Sequence, residues 1–268
     1  MTAEEIKAAK TLEANQDHYC FGRRWTQAIG SNIGKEWFDR IQCEMVEVDL
    51  IAAQANLLIK AIESAGGKEL RESTRKSDFE DFINYHRIKK GYSKLSWNAF
   101  VKDCEKYKKF VMQFPDVYSA VRDQINEENE DPNTDLTREQ IKEQFGYFIS
   151  KVDYQGPKIP LCGWMKENFE TLYEFLCDVK FYGQQENTPD RFKLHNRLFS
   201  YMGNIFKIII RKVQDKIDTP YIYRYDGLWI KKCDMKFWID ALKSVAEKYK
   251  LPIKKYHIKY NSFSSLLS

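Results

Sequence analysis

At 268 residues, 43% hydrophobic and 15% aromatic, the chain can bury a sizeable core, which excludes collagenous, mucin-like and wholly disordered readings. Forty-three Lys and Arg stand against 39 Asp and Glu, so any grip on a polyanion must come from local clusters rather than from the net charge of +4.

Residues 2–15, rich in Ala and Glu, predict a helix, and the pattern breaks around Gly22. Residues 44–50 (EMVEVDL) alternate polar and apolar, then run into apolar residues at helical spacing until Gly66-Gly67. This predicts a strand feeding a helix, with Asp49 at the junction. Residues 77–128 read as helical, with aromatics three or four apart that core packing explains. Residues 123–135 carry six acids and no base and predict a solvated connection. Asp135 or Thr137 then caps a helix, with Glu139 or Gln140 placed to reach back. Gly156, Pro157 and Pro160 break that helix; helical spacing resumes over 163–180 and again over 190–218, ahead of Pro220. YIYRY and LWIKK around Asp226-Gly227 predict a hairpin with a tight turn. A helix over 234–249 and a strand over 252–260 follow.

The predicted class is α+β, mostly helical with a small antiparallel sheet, and domain lines are drawn at 1–76, 77–190 and 191–268. The longest apolar stretch, 205–210, is interrupted by Lys207, so no membrane span or signal peptide is predicted. A soluble, cytoplasmic protein without a membrane partner is expected. Six Cys with no CxxC pair and four scattered His predict free thiols in a reducing compartment rather than a zinc knuckle or disulfide framework.

Asp49 at a strand end and Asp226 in a hairpin turn stand where a sheet exposes side chains to a cleft on a fixed backbone. Carboxylates on neighbouring strands suit two-metal phosphoryl transfer, in which they bridge Mg²⁺ ions about 4 Å apart. Asp-Gly is also an ordinary turn. The order of the surrounding motifs carries more weight: Gly22-Arg23 with Ser31-Asn32, then Val46-Glu47-Val48-Asp49-Leu50, then Arg138 and Lys142 ahead of Phe145-Gly146-Tyr147, then a helix from His195 to Ile210, and last Tyr225-Asp226-Gly227. Over residues 20–260 this order resembles the polymerase core of the family A DNA polymerases and the related single-subunit, phage-type RNA polymerases, in a divergent phage or mobile-element form.

The resemblance implies a nucleotidyltransferase of a bacterial cell, acting in DNA replication, with a palm-like sheet that carries the catalytic hairpin and with helical fingers. Asp49 and Asp226 would be the catalytic metal carboxylates for Mg²⁺ or Mn²⁺. Arg138 and Lys142, four apart on one helix, would grip the incoming nucleoside triphosphate, and Phe145 or Tyr147 would stack on its base or sugar. Arg23, with Asn32 nearby, would touch the primer-template duplex, and Gln54 stands where family DNA polymerases carry a Glu that helps exclude the ribose 2′-OH.

There are departures. Tyr225 replaces the usual His, the aromatic after Lys142 comes early, and about 18 residues precede the Gly-Arg element. A thumb is therefore expected from a protein partner or from the insert over 77–128. Two other readings stay open: a catalytically inactive palm-fold protein that binds nucleic acid as a replication accessory, and a helical interaction protein in which the motif order is coincidence. Residues 229–260, with nine Lys and three acids among Trp238, Tyr249, Tyr256 and Tyr260, suit a nucleic-acid backbone or a solvated helix face equally. The same holds for Arg71, Arg75, Lys76, Arg87, Lys89 and Lys90.

Overall fold

A computed structural model describes residues 19–20, 23–24, 45–63, 79–129, 132–151, 156, 158–183, 194–214, 216, 221–224, 227–251 and 256–260. The helix expected over 2–15, together with Asn32, Arg71, Arg75, Lys76, Tyr225 and Asp226, lies outside the described residues. By contacts the chain divides into a sheet unit, residues 1–51 and 202–268, and a helical unit, residues 52–201. The divisions fall at 51/52 and 201/202 rather than at 76/77 and 190/191, because the helix after Asp49 packs with the helical unit.

In the sheet unit, β1 (Tyr19–Cys20) pairs with β2 (Arg23–Arg24) in a short antiparallel ladder. The main sheet is built from β3 (Met45–Leu50), β4 (Tyr221–Arg224), β5 (Gly227–Lys231) and β6 (Tyr256–Tyr260), in the order β4-β5-β3-β6 with every pair antiparallel. Strand β3 shows why: Val46, Val48 and Leu50 are buried while Glu47 and Asp49 are half-buried, the period of two that gives a strand one apolar face. The hairpin closes with Arg224 opposite Gly227, so Gly227 stands in the ladder and the two-residue link is Tyr225-Asp226, one position earlier than the predicted Asp226-Gly227.

This order is that of two interleaved split βαβ units. Strand β5 lies between β3 and β4, and β3 lies between β5 and β6. The helix joining β5 to β6 is α9, and the segment joining β3 to β4 holds the whole helical unit.

The helices are α1 (Ala53–Glu63), α2 (Tyr85–Lys89) preceded by a π-helical turn at Phe79–Asn84, α3 (Trp97–Gln113), α4 (Val117–Glu127), α5 (Arg138–Ser150), α6 (Pro160–Asn168), α7 (Glu170–Gly183), α8 (Leu194–Gln214) and α9 (Met235–Lys248). The molecule is thus α+β and mostly helical, and among the described residues no helix is long and apolar enough to cross a membrane. The block expected over 77–128 is three helices, because Gly91 ends α2 and Ser96 caps α3 by accepting from the Ala99 N–H. The acidic run over 123–135 begins inside α4, where Asn126 clamps the Leu136 backbone through bonds of 2.9 and 3.0 Å. Pro160 starts α6 as its first residue, where a missing N–H costs nothing.

The helical unit is packed through aromatics. Phe100, Cys104, Tyr107 and Val111 line the buried stripe of α3. The fully buried Tyr107 donates its hydroxyl to the Ala55 carbonyl at 3.0 Å, which ties α1 to α3. Phe100 meets Phe175 at 4.5 Å and Phe148 stacks on Tyr173 at 5.8 Å. Burying each such ring contributes on the order of 2 kcal/mol.

Candidate active site

Asp49 is the last polar residue of β3, half-buried on the face opposite Val48 and Leu50. In the ladder it pairs with Gly227 on β5 and with His257 on β6. Because directly opposite residues share a sheet face, one row across the sheet reads Arg224, Gly227, Asp49, His257. The neighbouring row on the same face reads Ile222, Trp229, Glu47, Lys259. This face therefore carries two carboxylate positions on β3, flanked by strand positions that bear Arg, His and Lys. His257 is a residue that local pattern does not single out. Only the pairing of β6 with β3 brings it opposite Asp49.

The second carboxylate, Asp226, precedes Gly227 in the chain and lies outside the described residues. Among the described residues no group of three or more His, Cys, Asp or Glu is arranged to hold a metal ion. Asp49 offers one hard oxygen donor of the kind Mg²⁺ and Mn²⁺ prefer. Arg23 stands in β2, opposite Cys20.

The other candidates belong to the helical unit. Thr137 caps α5 and accepts from Gln140 N–H, while the Gln140 side chain accepts from Thr137 N–H, which selects these two among the predicted capping residues. Arg138, the first residue of α5, donates Nε to Asp116 Oδ2 and a second nitrogen to Glu139 Oε1 at 2.6 Å, and its guanidinium lies 5.6 Å from the Tyr118 ring centroid. Partial burial works against its charge, but Asp116 and Glu139 outweigh burial and raise its pKa. Asp116 also caps α4 through the Tyr118 N–H at 3.1 Å, so Arg138 ties the starts of two helices together.

Lys142 is exposed, with its ammonium 3.9 Å from Glu139 Oε2. Phe145 is only 1% exposed and packs on Tyr118 at 5.8 Å. A base stacked on it would have to displace the core, so of the two aromatic candidates Tyr147 is the one presented at the surface. The Tyr147 hydroxyl donates to Glu143 at 2.7 Å, a bond that raises its pKa, and the Lys151 ammonium lies 3.9 Å from its ring centroid. Gln54 is half-buried in the first turn of α1. The structure thus gathers Arg138, Lys142, Phe145 and Tyr147 on one helix, and gives two of the four, Arg138 and Phe145, a packing role. Comparison with protein-family models and with curated proteins found no match for this chain.

Proposed function

We propose that the chain is a template-directed nucleotidyltransferase of the family A type, adding nucleoside monophosphates to a 3′-hydroxyl, with Asp49 and Asp226 as its catalytic carboxylates. The observation that carries this reading is the register: Asp49 pairs with Gly227, the residue that follows Asp226, on the adjacent central strand of a split βαβ sheet. A strand-end acid beside a hairpin is the arrangement two-metal chemistry needs. Mg²⁺ or Mn²⁺ held by the two carboxylates would supply Lewis acidity toward the attacking hydroxyl and the leaving pyrophosphate. Primer-template nucleic acid is the second substrate.

Primer extension on DNA and RNA templates with dNTPs or rNTPs tests this. Asp49→Asn and Asp226→Asn each remove a negative charge with little change of volume, and each is expected to lower incorporation by roughly a thousandfold, about 4 kcal/mol, with the thermal melt unchanged. Full activity in both variants would sink the assignment. One observation favours a second reading, a replication accessory that keeps the scaffold without catalysis: Arg138 is held by Asp116 and Glu139, and Phe145 is in the core. Its mark is salt-sensitive nucleic-acid binding with no incorporation under any metal.

A further inference from the structure

Residues 82–102 carry five Lys and Arg and no Asp or Glu. Helix α2 and the turn after it lie inside this segment and leave Tyr85 58% exposed, Ile88 52% and Tyr92 60%, with Lys89, Lys90 and Lys94 exposed among them. Exposed apolar side chains of this size beside cations suit a binding surface. Tyr85, Ile88 and Lys89 stand at positions i, i+3 and i+4, which share one helix face.

The patch is fixed from behind. Gly91, at φ 81°, ends α2 in a Schellman turn: its N–H donates to the Ile88 carbonyl and the Tyr92 N–H to the Arg87 carbonyl, both at 2.9 Å. The Arg87 side chain donates Nε to the Ser93 carbonyl at 2.8 Å, and its other nitrogens to Asp178 at 2.6 Å and Glu174 at 2.8 Å. Its guanidinium carbon lies 5.7 Å from the Tyr92 ring centroid, and Tyr85 meets His86 edge-on at 5.3 Å. Rings held this way lose little freedom when a flat partner arrives.

We propose that Tyr85 and Tyr92, with Lys89 and Lys94, form a platform for single-stranded nucleic acid, in which bases stack on the tyrosines and the lysines neutralise phosphates. Arg87 is neutralised by Glu174 and Asp178, and the exposed Lys89 and Lys94 supply the positive charge that suits a polyanion. The exposed rings select one whose bases are unstacked, since a duplex offers phosphates but hides its base faces. The proposal shares its ligand class with the nucleotidyltransferase reading and rests on it only there, because the chemistry at Asp49 takes no part in the platform.

Fluorescence anisotropy of the full chain with labelled oligodeoxythymidine and oligouridine, in EDTA so that metal-dependent binding is silent, tests it. The pair Tyr85→Ala with Tyr92→Ala is expected to weaken binding about tenfold or more, while Tyr85→Phe with Tyr92→Phe keeps it. Lys89→Gln with Lys94→Gln is expected to reduce the salt slope of the affinity by about 1.4. Both tyrosines are exposed, so thermal melts should match the wild type and separate binding from folding. Unchanged affinity in the alanine pair would overturn the platform, as would equal loss in the phenylalanine pair. So would a change in sedimentation of the alanine pair with oligonucleotide binding intact, which marks the patch as a protein interface. Asp49→Asn separates the two proposals: it should bind oligonucleotide as the wild type does, whatever its incorporation.

Discussion

Lys180 is a charged group placed where water barely reaches, 6% exposed, with its ammonium 4.1 Å from the Phe148 ring centroid. Burial lowers its pKa, and the thiols of Cys177 and Cys162 act in the opposite sense without cancelling it. The sign of its contribution follows. Between the lowered folded value and the ordinary 10.5 the unfolded chain binds the extra proton, so this group makes stability rise with pH across that window. Cys177, pushed up to about 11 mainly by burial, contributes the reverse slope above its ordinary value. Replacing only Lys180 isolates its part. Urea denaturation of Lys180→Met is expected to show a stability gain over wild type that is largest at neutral pH and shrinks as pH approaches 10.5; a gain independent of pH would contradict it. At this scale the sequence was informative about residue type and silent about partners. The four-residue spacing of Arg138 and Lys142 is legible in the chain, whereas the carboxylate that holds Arg138 comes from Asp116 on the preceding helix.

At the scale of elements, termination decides more than propensity. Gly91 sits at φ 81° with nothing within 4 Å of an added Cβ, so Gly91→Ala meets backbone strain without a clash. It is expected to cost about 1–2 kcal/mol in urea denaturation. Thr137→Ala removes one half of a capping box, and a loss of about 1 kcal/mol is expected in the same measurement. A value near zero at both positions would show that tertiary packing alone sets these helix ends. Strand β3, the hairpin and the cap at Thr137 were legible because alternation, turn residues and cap chemistry act over a few neighbours. The hairpin link came out one residue late because Asp-Gly reads as a turn until Arg224 is seen to pair with Gly227. The run over 123–135 was read as all connection because six acids signal solvent. The Asn126 clamp on Leu136, which lets α4 continue to Glu127, is formed across ten residues.

At the scale of the whole molecule, the helical unit is a single continuous segment and the sheet unit is assembled from both ends of the chain. Helices α3 to α7 make their contacts within one continuous stretch of the chain, the longest reach among them being that of α3 to α7 (Phe100 on Phe175), while β3 pairs with β5 and β6 across the whole intervening unit. Local contacts form fast and distant ones wait for loop closure. Pulsed hydrogen exchange during refolding is therefore expected to protect amides of residues 97–183 before those of 45–50 and 227–231, and simultaneous protection would show that the units fold as one. The fold class was legible from composition and element order. The row that joins Asp49 to His257 was not, because strand order is a property of the assembled sheet.

The position of β3 at the centre of that sheet has a consequence for synthesis. Translation proceeds from the N-terminus, so β3 emerges with both hydrogen-bonding edges open, and neither neighbour exists until the whole helical unit has followed. An apolar strand with two unpaired edges is a template for pairing with other chains. Its short length and its two acids, Glu47 and Asp49, are the features that blunt this hazard while the ribosome is still at work. The two acids thus guard the unfinished chain, whatever Asp49 does in the finished one, and removing both charges would be felt as aggregation of nascent chains.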